Sequence, residues 1–130
     1  MKLLPSITSI AGVMSKKVLV VDNESGSRRN ISLLLREQGY EVDEADDGLT
    51  ALDLLDKKTF DLLICDVVMP RLSGLDVIRR IESSYTSTSV ILITGHPDLL
   101  DEKGLGNFPC FTKPFNLYDL LRRVKQALND

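Results

Sequence analysis

Asp22, Asn23 and Glu24 stand in a row directly after a short apolar run, and Asp66, Thr94 and Lys113 each follow an apolar run of their own. Two or three acids, a hydroxyl and an amine are therefore attached to the ends of four separate runs. Carboxylates at close range repel and need a cation to coexist. Oxygen ligands with no His or Cys beside them select a hard ion such as magnesium, which uses one or two carboxylates and keeps the rest of its shell for water or phosphate oxygens. A carboxylate can also act as a nucleophile and become an acyl phosphate. Phosphoryl transfer asks for positioning and charge neutralisation more than for covalent chemistry. A cation and Lys113 would supply the neutralisation, and the Thr94 hydroxyl would donate to a phosphoryl oxygen.

The elements that must position these residues follow from periodicity. Val18-Leu19-Val20-Val21, Leu62-Leu63-Ile64-Cys65 and Val90-Ile91-Leu92-Ile93 read as strands buried on both faces, and Cys110-Phe111-Thr112 as a short fifth strand. Glu41 to Ala45 interleaves polar residues and reads as an edge strand. A helix is expected from about Ser27, with Ile31, Leu34 and Leu35 on one face and Gly39 placed to end it. A second runs from about Gly48 with Ala51, Leu52 and Leu55 inward. Ser73 can cap a third, whose stripe is Leu75, Ile78 and Ile81. Asn116 opens the last, where Leu117, Leu120, Leu121, Val124 and Leu128 keep helical spacing. Between Asp98 and Asn107, Gly104 and Gly106 leave room for one or two helical turns. Strands alternating with helices make a single α/β domain, doubly wound, with five parallel strands and helices on both faces. Functional residues of such a sheet gather beyond the carboxyl ends of its strands, where strand order reverses.

The chain has 130 residues, enough for one domain with its own core. Hydrophobic residues at 43% and charged residues at 27% suit a soluble globular protein. A net charge of −3 argues against a general nucleic-acid surface, and no run approaches the ~20 apolar residues of a membrane span. Cys65 and Cys110 read as small hydrophobic residues of a reduced core, because there is no Cys-x-x-Cys and only one His. Residues 1–15 read as an extension, interrupted by Pro5, Ser6, Thr8 and Ser9 and thus a poor leader. Residues 16–130 form the domain.

Val20-Val21-Asp22-Asn23-Glu24, Asp66-Val67-Val68-Met69-Pro70 with Ser73-Gly74, Ile93-Thr94-Gly95, and Thr112-Lys113-Pro114-Phe115 resemble the four signature blocks of the response regulator receiver domain. Each block alone is weak, but four in order, each at a strand end, are specific. The resemblance runs from about Lys16 to Asp130. It implies a CheY-like, flavodoxin-like sheet of order 2-1-3-4-5 and a cytoplasmic role in two-component signalling. It implies Asp66 as phospho-acceptor, and Asp22, Asn23, Asp66 and the backbone carbonyl of Val68 as ligands of magnesium or, in its place, manganese. It makes Thr94 the switch hydroxyl, Lys113 the partner of the phosphoryl group and Gly74 the turn glycine. The donor would be a sensor histidine kinase or a histidine phosphotransfer protein. The domain would catalyse its own phosphorylation and dephosphorylation without turning over an external small molecule. It would act as a monomer or a weak dimer through the fourth helix, fifth strand and last helix, with no direct nucleic-acid or membrane contact.

Three departures stand out against that family. Asn23 replaces the usual second acid, so the site loses a formal charge, for which the neighbouring Glu24 is a candidate replacement. Cys110 stands where the family carries a Tyr or Phe that moves with the threonine. The stretch from Thr94 to Lys113 is shorter by most of a helical turn, so the fourth helix should be short. Val68 is apolar at a position where polar residues can orient an attacking water, which points to a long-lived phosphoryl group. The departures also support an alternative, a receiver-fold interaction module acting with little or no phosphorylation. Each site residue has a plain structural reading as well: Asp22 or Asp66 as helix caps, Thr94 as an ordinary strand end, Lys113 as a solvated turn, and His96 as a surface loop residue. A haloacid dehalogenase-type phosphatase would need a second acid where Val68 stands, and a flavodoxin would need a hydroxyl- and glycine-rich loop where Asp22-Asn23-Glu24 stands.

Overall fold

Both faces of Val18-Leu19-Val20-Val21 are apolar, so this run must lie between two layers of helices, and it does. In the computed structural model, which describes residues 15–69, 74–85, 87–102 and 104–130, it forms β1 (Lys17–Val21). The chain continues through α1 (Ser25–Glu37), β2 (Glu41–Ala45), α2 (Gly48–Lys57), β3 (Leu62–Asp66) and α3 (Gly74–Ser84). It ends with β4 (Ser89–Thr94), α4 (Leu99–Glu102), β5 (Cys110–Thr112) and α5 (Leu117–Leu128). All strand pairs are parallel, and the order is β2-β1-β3-β4-β5. The fold is therefore the five-stranded, doubly wound α/β sheet of the flavodoxin-like kind.

Alternate residues of the strands feed two cores. Leu19, Val21, Leu63, Cys65 and Leu92 face α2 and α3, where they meet Ala51, Leu55, Val77, Ile78 and Ile81. Val18, Val20, Leu62, Ile64, Ile91 and Ile93 face α1 and α5, where they meet Ile31, Leu35, Leu120, Leu121, Val124 and Leu128. The 2.0 period of the strands and the 3.6 period of the helices thus serve one packing scheme. β2 lies at the sheet edge, as its polar alternation requires, and Glu44 on it pairs with Arg28 and Arg36 of α1.

Gly39 has φ 94°, and its N–H closes on Arg36 O at 3.0 Å, so a left-handed residue ends the helical segment. Asn116 caps α5 by accepting from the N–H groups of Tyr118 and Asp119. α4 is a single turn, in keeping with the shortened stretch between Thr94 and Lys113. The expected Ser73 cap lies outside the described residues.

Several details depart from the sequence expectations. α1 starts at Ser25 rather than near Ser27, because Asp22 Oδ1 accepts from Glu24 N at 2.9 Å and turns the chain into the helix early. On α3, Val77 is fully buried and replaces Leu75, which packs only at the margin. Cys65 is buried, but Cys110 is only half-buried, because the short β5 lies on the sheet edge. No helix among the described residues is long and apolar enough to cross a membrane.

Candidate phospho-acceptor site

The sheet register aligns Val21 of β1 with Cys65 of β3. One residue further on, Asp22 and Asp66 leave the sheet side by side, at the point where strand order turns from β2 on one side to β3 on the other. β4 aligns Thr94 with Thr112 of β5, and Lys113 comes next, its N–H bonded to Thr94 O at 2.7 Å. Parallel pairing therefore brings residues far apart in sequence to one rim.

Lys113 Nζ sits 2.8 Å from Asp22 Oδ2, 2.6 Å from Glu24 Oε1 and 2.8 Å from Asp66 Oδ2. The contacts to Asp66 and Glu24 are directed hydrogen bonds. The contact to Asp22 is an ion pair off the ideal hydrogen-bond angle, so the fully buried Asp22 Oδ2 has the Lys113 ammonium as its partner and no directed hydrogen bond. Ligand oxygens of Asp22, Glu24 and Asp66 all lie within 4.8 Å of one another. An all-oxygen set of this span, three carboxylates around a single ammonium, fits a hard divalent cation.

Backbone groups hold the acids in place. Val68 N donates to Asp66 Oδ1 at 3.0 Å, and Val67 N donates to Ile93 O at 3.1 Å. Asp22 O accepts from Arg28 Nη1 at 2.8 Å, while Arg28 Nε reaches Glu44 Oε1 at 3.1 Å. Gly74 N returns to Val67 O at 3.2 Å, and a Cβ at position 74 would lie 2.3 Å from Asp66 O. Only glycine lets the chain pass so close behind the acid.

Burial raises the Asp66 pKa, opposed by the hydrogen bonds from Lys113 and Val68, while the charge of Asp22 raises it further. For Lys113, burial works to lower the pKa, but the bonds to Asp22, Asp66 and Glu24 outweigh it and raise the value. Lys113 is therefore a firmly held ammonium at neutral pH.

A cavity of about 290 Å³ opens above the acids, lined by Asn23, Glu24, Asp66, Val68, Gly95, His96 and Lys113. A larger cavity of about 770 Å³ lies elsewhere, against Lys17, Tyr40, Glu41 and Lys58. Its charged groups pair with one another, as in Lys58 with Asp43 and Lys17 with Glu41, so size does not mark the reactive end.

Of the residues singled out from sequence, Asp22, Asp66 and Lys113 meet directly. Asn23 and Val68 line the cavity and are exposed. Thr94 does not line it: the residue is fully buried, and its Oγ1 accepts from His96 N at 2.9 Å. Asp22 and Asp66 each accept a backbone N–H two residues on, which is the turn-capping role of an Asx side chain. Lys113 is far from a solvated turn, with its side chain 16% exposed. Glu24, singled out from sequence as a candidate replacement for the charge missing at Asn23, enters the charge cluster directly. One participant is unmarked in the sequence: Arg28 braces the Asp22 carbonyl, and a lone arginine in a helix carries no signal of that task.

The model of the response regulator receiver domain family matches residues 18–125. The chain belongs to that family. Relatives and solved structures agree. The receiver is 32% identical over 119 residues to Sporulation initiation phosphotransferase F of Bacillus subtilis, covering 89% of this chain and 96% of that protein. It is 37% identical to Response regulator MprA of Mycobacterium bovis over 119 residues, 88% of this chain but about half of that protein, 51%. Among solved structures, the response regulator TrrA of Thermotoga maritima, in complex with Mg2+-BeF, superposes with a TM-score of 0.78 at 33% identity, covering 86% of this chain and 98% of that one. The chain is thus a response-regulator receiver of the two-component type.

Proposed function

We propose that this receiver accepts a phosphoryl group on Asp66 from a phosphohistidine, carried by a sensor histidine kinase or a histidine phosphotransfer protein, and that the event changes its output face. The observation that carries the reading is the convergence of Asp22, Asp66 and Lys113 beneath an open cavity, with two carboxylates sharing one ammonium. Asp22, Asp66, the Asn23 amide and the Val68 carbonyl would hold magnesium, or manganese in its place. When bound, the ion would offset charge on the phosphoryl oxygens.

The chain's own residues do the rest. A carboxylate oxygen of Asp66 attacks phosphorus, the bond from phosphorus to the histidine nitrogen breaks, and the imidazole leaves with the electron pair. The N–H of Val68 and the ammonium of Lys113 hold the Asp66 carboxylate in place for that attack. Lys113 remains charged and partners the new group, which adds nearly two negative charges and three acceptor oxygens. The Thr94 hydroxyl now faces His96 N. Turning it toward the phosphoryl group would break that bond and couple the site to the β4–α4 segment, a bias on a two-state element.

The domain comprises residues 16–130 behind an extension of residues 1–15, acts in the cytoplasm, and passes its signal to a protein target or fused output domain. The one-turn α4 favours a second reading, an interaction module that works with little phosphorylation. Titration of the receiver with beryllofluoride and magnesium, followed by amide NMR, separates the two. Saturable shifts at residues 22, 66, 94 and 113 support the phospho-acceptor. An unchanged spectrum favours the module.

A further inference from the structure

We infer that Glu24 supplies the carboxylate charge that Asn23 lacks, resting on Lys113 as a latch and turning to the divalent cation when one enters; this rests on the metal-assisted reading above. The chain geometry favours residue 24 for the task. Asp22 Oδ1 holds Glu24 N at 2.9 Å, and Glu24 Oε1 reaches Lys113 Nζ at 2.6 Å. Asn23 is exposed and lends the cavity an amide without charge.

Charge balance points the same way. Asp22, Glu24 and Asp66 contribute −3 and Lys113 +1, so the cluster carries −2, which one divalent ion neutralises. Without Glu24 the sum is −1, and the ion would bring an unbalanced positive charge. A second observation is independent of that sum. Asp22 Oδ2 is fully buried, faces the same cluster without a directed hydrogen bond, and must share the one Lys113 ammonium with Asp66 and Glu24.

Glu24 is also free to move. Its side chain is 63% exposed, so its bond to Lys113 is the kind of solvated pair that is easily given up. It lines both the acid cavity and a neighbouring one of about 470 Å³, shared with Ser27, Asn30, Lys113 and Phe115. A carboxylate on that shared wall can turn from the ammonium to a cation without disturbing the core.

The test is calorimetric titration of the full chain with magnesium chloride at neutral pH, comparing wild type, E24Q, the double variant N23D/E24Q and D66N. Circular dichroism checks that each is folded. E24Q should bind magnesium roughly tenfold more weakly than wild type, and N23D/E24Q should regain most of the loss, because the charge returns one residue earlier. Wild-type affinity in E24Q overturns the inference, as does a double variant no better than E24Q. If wild type binds while D66N does not, the cation site stands whatever E24Q does. If wild type itself fails to bind, the metal-assisted reading falls first.

Discussion

Replacing Lys113 with methionine keeps most of the apolar stem and removes the ammonium, leaving three carboxylate groups facing one another. At 2.8 Å and an effective dielectric near 20, each contact with a carboxylate carries about 6 kcal/mol of gross attraction. Most of that offsets the desolvation of Lys113 and of the acids. Breaking a buried pair typically costs about 3–5 kcal/mol. Glu24 is largely exposed and the cavity is open to water, so the expected net loss here is about 2–3 kcal/mol near pH 7.5 without divalent cation.

The loss should depend on pH. In wild type the Lys113 pKa is raised, so its contribution is complete below its unfolded value of about 10.4 and fades only at higher pH. In the variant the carboxyl groups lose their counter-charge. Asp66, already raised by burial, then binds its proton more tightly folded than unfolded, so stability falls as pH rises through the carboxylate range. The gap to wild type should therefore be smaller near pH 4.5 than near pH 7.5. Magnesium should stabilise the variant more than wild type, since it enters a cluster of −3 instead of −2. Urea unfolding by circular dichroism, with EDTA or magnesium at both pH values, measures all three effects. A variant within about 0.5 kcal/mol of wild type near pH 7.5, or a larger loss at the lower pH, would refute the charge balance argued here.

Other outcomes follow from the same geometry. Asp66→Asn removes a carboxylate whose charged form burial disfavours, so stability in urea should hold or rise by up to about 1 kcal/mol, and a clear drop counts against it. Gly74→Ala drives a Cβ into the Asp66 carbonyl and should cost about 2–3 kcal/mol in the same assay. Thr88→Val removes the bond from Oγ1 to the Phe60 carbonyl, 2.8 Å long and buried, for a loss of about 1 kcal/mol. The Val68 side chain offers the cavity no polar group to orient water, so the phosphorylated form should outlast seconds when its decay is followed by gel shift, and faster loss contradicts the idea.

Much of the fold and site is legible in the sequence for identifiable reasons. β1, β3 and β4 are β-branched or leucine-rich runs with no competing helical stripe, and α5 repeats its apolar positions without interruption. Parallel strands bring the residues just past their carboxyl ends to one rim, so Asp22, Asp66 and Lys113 are readable as neighbours from sequence. The remainder depends on side-chain direction. Glu24 and Lys113 are 89 residues apart, and nothing local says that the turn at Asp22 aims residue 24, not 23, at the lysine. The Thr94 hydroxyl is satisfied by His96 N, an arrangement set by how the β4–α4 loop leaves the sheet. Cys110 reads as core because its run is apolar, but a three-residue edge strand covers little.

The central claim is that Asp66 becomes an acyl phosphate. Incubation with acetyl phosphate and magnesium, followed by intact-mass spectrometry and peptide mapping, tests it directly. The expected result is a gain of one phosphoryl group on the Asp66 peptide, lost on hydroxylamine treatment and absent from Asp66→Asn. An unmodified mass under conditions that label another receiver, or label retained in Asp66→Asn, would contradict it.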